Sequence, residues 1–382
     1  MRETNFKIRA VVNPADREMF LDVPGKVYEN EPNWVAPIRS SIAKQLALSV
    51  SNPFLQYGKF QQFIALMEGK PVGRIVAAIN NRLIEKTGEA IGLFGYFECI
   101  EDFSVAQGLL DAASQWLGDQ NIKLLRGPID LSTHNNCLCL IEGFDSPPVV
   151  MMPYNPPYYP QFFEQAGLHK AKDAYAYDMP LDTFSPDKFV KAHGIACKAG
   201  VKFRPVHTKG AEFEKDCRSI YQLFTKAFAN NWSSTPRSEE EFLDEAKELQ
   251  PLIDPDIFPI AEYEGEMVGF LMAIPDYNIP LKQVNGKLNW LGILKFLWYR
   301  RQIDQARVIV ICSLPEHRRK LIPLALMYLS LQGGIQKGKP YKRTESSWVW
   351  EDNFPSRKLI EASGSYLYKK YRMYEKELII DS

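Results

Sequence analysis

The segment Phe63-Ile-Ala-Leu-Met-Glu-Gly-Lys-Pro-Val-Gly-Arg-Ile returns later in the chain as Pro259-Ile-Ala-Glu-Tyr-Glu-Gly-Glu-Met-Val-Gly-Phe-Leu. Gly69 matches Gly265 and Gly73 matches Gly269, each 196 positions on. Phe6-Lys-Ile-Arg-Ala-Val likewise matches Val201-Lys-Phe-Arg-Pro-Val, Asn155-Pro-Pro matches Asn353-Phe-Pro, and Glu164 and Gly167 match Glu361 and Gly364. The anchors keep their order at nearly constant spacing, so the chain is two copies of one unit. At 382 residues, each copy has the size of an ordinary domain. The expected division is 1–185 and 186–382.

Pattern predicts the same elements in both copies. In the first, a strand over 6–12 and a helix over 14–28 precede a hairpin that turns at Glu68-Gly-Lys-Pro and whose second arm covers 73–80. A strand over 91–99, a helix over 105–117 and a fifth strand over 124–127 follow. A short helix ending at Gly167 and an aromatic-rich strand over 174–179 close the copy. The second copy repeats this at 201–206, 217–228, 269–274, 307–314, 322–332 and 345–350, with a helix ending at Gly364 and a strand over 366–375. Glycines at those helix ends read as caps. The order predicts an α/β fold of two tandem lobes, each a mixed, mostly antiparallel sheet with helices on both faces.

Residues 126–160 of the first copy have little period and hold seven prolines. Proline fixes φ, so this loop is stiff, and long ordered loops tend to be functional. Ser132, Thr133, His134, Asn135, Asn136, Asp145, Tyr154, Asn155, Tyr158 and Tyr159 sit on it among apolar residues. They read as the wall of a pocket; the alternative is a connection whose aromatics cap the core.

Lys plus Arg and Asp plus Glu both total 46, which argues against a nucleic-acid binder, whose affinity rests on neutralising phosphates. No window reaches the roughly 18 apolar residues of a membrane span, and the start does not read as a signal peptide. The six cysteines lack the spacing of a zinc site or a disulfide framework. A cytoplasmic protein without a metal is expected.

Val308-Ile-Val-Ile-Cys reads as a buried strand. Pro323 fits only the first turn of a helix, so that helix begins near Leu321 or Ile322. The amides of about 318–322 are then unpaired at its positive end. With Arg318, Arg319 and Lys320 beside them, they suit a pyrophosphate. The first copy has Asp102-Phe-Ser-Val-Ala-Gln here, without basic residues, and by charge binds none.

The element order, with Pro315-Glu-His-Arg-Arg-Lys-Leu-Ile-Pro-Leu-Ala-Leu after a buried strand, resembles the GCN5-related N-acetyltransferase superfamily. The duplication is similar to its double-lobed members. Asn33-Trp-Val-Ala-Pro, Gly143-Phe-Asp-Ser-Pro-Pro, Met151-Met-Pro-Tyr-Asn-Pro-Pro-Tyr-Tyr and Ser347-Trp-Val-Trp-Glu-Asp-Asn look like one bacterial branch, over essentially the whole chain. Its relatives include bacterial ceramide synthases and fatty-acyl tailoring enzymes of peptide products. The resemblance implies an N-acyltransferase that moves an acyl group, medium- or long-chain, from acyl-CoA or an acyl carrier protein to a primary amine. The acceptor so implied is a lysine or ornithine side chain of a peptide, or a sphingoid-type base.

The resemblance also implies roles for residues. The amide near Ser313 or Leu314 would polarise the thioester carbonyl, and Asn353 would lie near the pantetheine. Arg318 matches the head of the superfamily's phosphate loop, with Leu321 and Pro323 replacing its two small residues and Ile322 opening the helix. A left-handed Leu321 would cost roughly 1–2 kcal/mol. The usual acidic tyrosine has Ile360 in its place, and Phe163 in the first copy.

The amine must lose a proton. His134 has a useful intrinsic pKa, and Glu98, Glu345 and Glu351 are rivals. Asn135 and Tyr154 are cast as positioning groups at the centre, and Asn136, Asp145, Asn155, Tyr158, Tyr159 and Trp298 as substrate contacts. Nothing in sequence activates Cys137 or Cys139 for an acyl-enzyme. The stretch 288–301 is a helix apolar nearly all round with a basic end, suited to an acyl tunnel, a membrane surface or a buried core position. A non-catalytic acyl-CoA or lipid sensor and a small-molecule N-acetyltransferase are the alternative functions.

Overall fold

The computed structural model describes residues 6–50, 52–336 and 338–379. The first unit runs β1 (Phe6–Ala10), α1 (Pro14–Val27), α2 (Arg39–Gln45), β2 (Gly58–Met67), β3 (Lys70–Asn80), α3 (Asn81–Thr87), β4 (Ile91–Cys99), α4 (Phe103–Gly118) and β5 (Leu124–Gly127). It ends with β6 (Cys139–Glu142), α5 (Tyr159–Gln165) and β7 (His169–Pro180). The connecting α6 (Asp187–Lys198) leads to β8 (Lys202–Pro205), α7 (Gly210–Ala227), α8 (Glu239–Leu249), β9 (Pro259–Tyr263) and β10 (Glu266–Pro275). The second unit then inserts α9 (Asn278–Val284) and α10 (Trp290–Tyr299) before β11 (Gln305–Ser313), α11 (Ile322–Gln336), β12 (Arg343–Trp350), α12 (Phe354–Glu361) and β13 (Tyr366–Glu377).

Local rules account for the repeat. Both hairpins turn on a left-handed Glu-Gly pair, Glu68-Gly69 and Glu264-Gly265, the geometry a two-residue hairpin loop requires. The other matched glycines allow a helix to press on the sheet. A Cβ on Gly73 would meet Leu109 of α4 at 2.7 Å, and one on Gly269 would meet Ile322 of α11 at 2.9 Å.

All strands join one mixed sheet in the order β1-β2-β3-β4-β5-β13-β7-β12-β11-β10-β9-β8, with β6 added beside β13. The order reads the same from either end once each strand is replaced by its counterpart, as a duplicated unit demands. Helices cover both faces: α1 contributes Phe20 to one core of the first unit and α4 contributes Leu109 to the other. In the second unit α7 supplies Leu223 to one face and α11 supplies Leu326 to the opposite one.

One expectation is corrected. The closing strands do not complete their own units. β7 pairs with β12 of the second unit, and β13 pairs with β5 of the first. The two exchanged strands also pair with each other through the middle of the molecule. Alternation gives a strand its apolar face but not its partner. The loop 126–160 lies along this junction, and part of it forms β6 against β13.

Candidate active site

The parallel pair β11–β12 holds together only from Gln305–Arg343 to Val308–Ser346. There the β10–β11 register shifts between Met272 and Ala273, a bulge of the kind that re-aims a strand, and the two strands part. The opening shows in the burial of β11. Val308, Ile309, Val310 and Ile311 are only half-buried in an interior strand, whereas Ile91 to Phe97 of the counterpart β4 are fully buried.

Leu314 donates its amide to Val268 O at 3.0 Å. The Gly269–Ser313 and Leu271–Ile311 pairs are therefore the non-bonded kind, with the Ser313 and Ile311 amides turned away from β10 into the gap. Of the two amides expected to polarise a carbonyl, Leu314's is spent in the ladder and Ser313's points out of it.

The first unit closes its gap. Ile129 donates to Phe94 O at 2.7 Å, and Asp130 accepts from the Tyr96 amide at 2.5 Å. The Cys99 amide, counterpart of Ser313, donates to the Tyr159 hydroxyl at 2.7 Å, while Tyr158 donates to Cys99 O at 2.8 Å. Among the described residues no hydroxyl takes Tyr159's place at Ser313.

Past Ser313 the chain makes two tight 3-10 turns over Pro315–Lys320, and Leu321 adopts φ 54°. α11 then starts at Ile322, with Ala325 donating to Leu321 O. The predicted helix start holds, but the amides expected to be free at 318–320 are taken up in the turns over Pro315–Lys320, which leaves those of Ile322 and Leu324 at the positive end. Arg319 is exposed, whereas Lys320 is engaged: its ammonium donates to Ala199 O at 3.1 Å and stands 3.5 Å over the Tyr263 ring. The Arg318 side chain lies outside the described residues. Asn353 caps α12, accepting from the Ser356 amide. A cavity of about 30 Å³ begins at Val308 and Ser346, where the strands part, and runs between the sheet and α11 past Leu271, Met327 and Leu331.

On the opposite face of the sheet, Glu345 pairs with Arg307 across the last bonded rungs. Glu345 is buried; one oxygen accepts from the Tyr368 hydroxyl, and among the described residues the other finds no partner in hydrogen-bond geometry. Burial raises its pKa despite Arg307 and Lys369 nearby. Arg307 is held by Ser347 Oγ at 2.9 Å and Val150 O at 2.8 Å. Lys369 donates to the carbonyls of Gly143 and Ser146, and burial lowers its pKa to about 8. Arg307, Tyr368 and Lys369 escaped the sequence reading. Tyr368 and Lys369 belong to β13, whose neighbours are set by strand exchange, and only the tyrosine-rich pattern of that strand marked it.

His134 is placed elsewhere. Its Nε2 lies 2.7 Å from Thr235 O; a carbonyl only accepts, so Nε2 carries the proton. Burial, then Arg237, lowers its pKa to about 4, which makes it a weak base at neutral pH. It connects to the end of β12 through the segment 232–235, since Trp232 packs edge-on to Trp350.

The loop's polar groups mostly bind backbone. Asn135 donates to Asp130 O, Tyr154 donates to Phe144 O, and Asn155 exchanges bonds with Leu140. Asn136 and Asp145 are exposed. Tyr158 and Tyr159 seal the first unit's gap, and Trp298 stands exposed on α10. A buried polar group needs a partner, so a stiff polar loop packed at a junction binds itself and its neighbours. Cys137 and Cys139 are buried, with thiol pKa values pushed up.

Comparison with known proteins follows the same lines. No family model matches the sequence. The chain is 30% identical to protein YghO of Escherichia coli over 377 residues, covering 97% of this chain and 95% of that one. It is 29% identical to the bacterial ceramide synthase of Caulobacter vibrioides over 375 residues, 96% of each. Among solved structures, a tandem GNAT protein from the clavulanic acid biosynthesis pathway superposes with a TM-score of 0.60 at 12% identity, covering 99% of this chain and all of that one. A GCN5-related N-acetyltransferase from Sphaerobacter thermophilus gives 0.54 at 14% identity over 98% and 96%.

Proposed function

Because the chain belongs to the tandem GCN5-related N-acetyltransferase family, we propose that its second unit holds an acyl-CoA and transfers the acyl group, medium- or long-chain, to the primary amine of an amphipathic acceptor. The observation that carries this is the opened middle of β11, half-buried where the counterpart β4 is closed.

The residues present fit such a donor. The Ser313 and Ile311 amides face the gap, and the first-turn amides of α11 lie beyond it as an anion site. When bound there, the thioester supplies an already activated carbonyl. The outward amides of Ser313 and Ile311 bond the arm of the donor, so that its thioester lies toward the bulge and the rung that carries Glu345. Across the sheet, the second oxygen of Glu345 accepts a proton from the amine. Of the two protons an ammonium loses as the C–N bond forms and the C–S bond breaks, one goes to Glu345 and the other leaves with the thiol. The relative named a ceramide synthase supports a sphingoid-type base as acceptor; a lysine or ornithine side chain presents the same amine.

Incubating the protein with acyl-CoAs of graded chain length and a sphingoid base tests the reading. Thiol release and an acylated product, faster with long chains than with acetyl, are expected. Equal or better turnover with acetyl-CoA overturns the chain-length part. Binding without any product favours the sensor, to which Ile360 at the place of the usual acid lends weight.

A further inference from the structure

The insertion between β10 and β11 leaves an apolar helix in water. Within α10 only Gly292, Phe296 and Tyr299 are buried or half-buried. Gly292 is required there, since a Cβ would stand 2.1 Å from Lys287 O, and Phe296 stacks on Tyr277 at 5.9 Å. The rest of the helix points outward: Trp290 is 68% exposed, Leu294 58% and Trp298 63%, with Leu291 and Leu297 beside them. Exposed apolar residues scattered singly are ordinary, but a contiguous patch marks a binding surface.

Charge identifies the occupant. Residues 277–303 contain Lys282, Lys287, Lys295, Arg300 and Arg301 and no aspartate or glutamate, in a chain whose charges as a whole balance at 46 each. A second copy seated on the same patch by twofold symmetry would set these cations against their own counterparts. A helix of ten residues is about 15 Å long, half of the roughly 30 Å hydrocarbon layer, and no helix among the described residues is long and apolar enough to cross a membrane. We propose that α10 lies in the surface of an anionic lipid bilayer, its tryptophans and leucines among the acyl chains and its lysines and arginines at the headgroups. This goes beyond acyl transfer and stands without it. It has a consequence for that reaction, because Phe296 and Tyr277 belong to the cluster that holds Ile309 at the β11 bulge. The helix that docks is thus packed, through its inner face, on the cluster beside the gap, which suits substrates drawn from lipid.

Cosedimentation of the full chain with phosphatidylcholine vesicles, pure or with about a third phosphatidylglycerol, tests the proposal. Wild-type protein is expected to bind the anionic vesicles more tightly, to release with salt and to shift its tryptophan emission to the blue. Leu294→Glu, at an exposed site that leaves the fold intact by circular dichroism, is expected to weaken binding by roughly tenfold or more. Arg301→Glu is expected to weaken binding to the anionic vesicles by roughly fivefold. Failure of the wild type to bind anionic vesicles overturns the proposal, as does unchanged binding by Leu294→Glu. A wild-type dimer that Leu294→Glu splits also overturns it, by showing that a second copy covers the face.

Discussion

The Cys99 amide donates a 2.7 Å hydrogen bond to the Tyr159 hydroxyl, and that bond makes the two units of a duplicated chain unlike. In the second unit the same amide belongs to Ser313 and opens on a gap. Replacing Tyr159 by Phe leaves the Cys99 amide buried without an acceptor, which costs about 1–3 kcal/mol in denaturant unfolding. Titration calorimetry is expected to show one acyl-CoA bound per chain, in wild type and variant alike. A second bound equivalent in the wild type would show that the first unit also admits a donor.

Glu345 and His134 make opposite predictions. Glu345→Gln is expected to lower acyl transfer by roughly 10²- to 10⁴-fold, with donor affinity retained. Only the unprotonated base accepts a proton, and burial raises the Glu345 pKa. The wild-type rate therefore falls on acidification at a pH above the usual carboxylate range, and Glu345→Gln loses that limb. His134→Ala is expected to keep both rate and profile, because a group with a pKa of about 4 contributes no titration near neutrality.

Leu321 carries the turn into α11 at φ 54°. Leu321→Ile keeps the volume but puts a β-branched side chain where even leucine is strained. A loss of roughly 1–2 kcal/mol in chemical denaturation is expected, with weaker acyl-CoA binding because the first turn of α11 shifts. Unchanged stability would show that the turn does not need the left-handed residue.

Lys369 is buried, with its pKa lowered from 10.5 to about 8. Between those values the unfolded chain holds the proton more tightly than the folded one, so stability gains with rising pH across that window. Lys369→Met removes this upward component. It also leaves the Gly143 and Ser146 carbonyls without their donor, and faster amide exchange is expected through 143–150. Equal pH slopes for the two proteins would place the charge outside the junction.

Much of the fold was legible because its signals are local. The Glu-Gly turns and Pro323 in a first turn each state a backbone requirement that few residue types meet. They located the strands, the hairpins and the start of α11 at Ile322. Duplication followed from their spacing. Near the candidate site such a rule gave only the start of α11; the amide near Ser313 or Leu314 came from the resemblance to the superfamily. Glu345 was one of several carboxylates, and its burial beside Tyr368 is visible only in the packing.

By itself the sequence determined that two like units would form and roughly where their shared elements lie, although the helix expected over 217–228 starts at Gly210 and the strand expected over 174–179 starts at His169. Tertiary structure alone decided that β7 and β13 change places, that Tyr159 closes one gap while its counterpart stays open, that Glu345 is buried beside Tyr368, and that α10 faces outward. The physical reason is the same in each case. Periodicity and backbone chemistry act within a few residues and specify which face of an element is apolar, whereas the group that comes to cover that face arrives from a distant part of the chain.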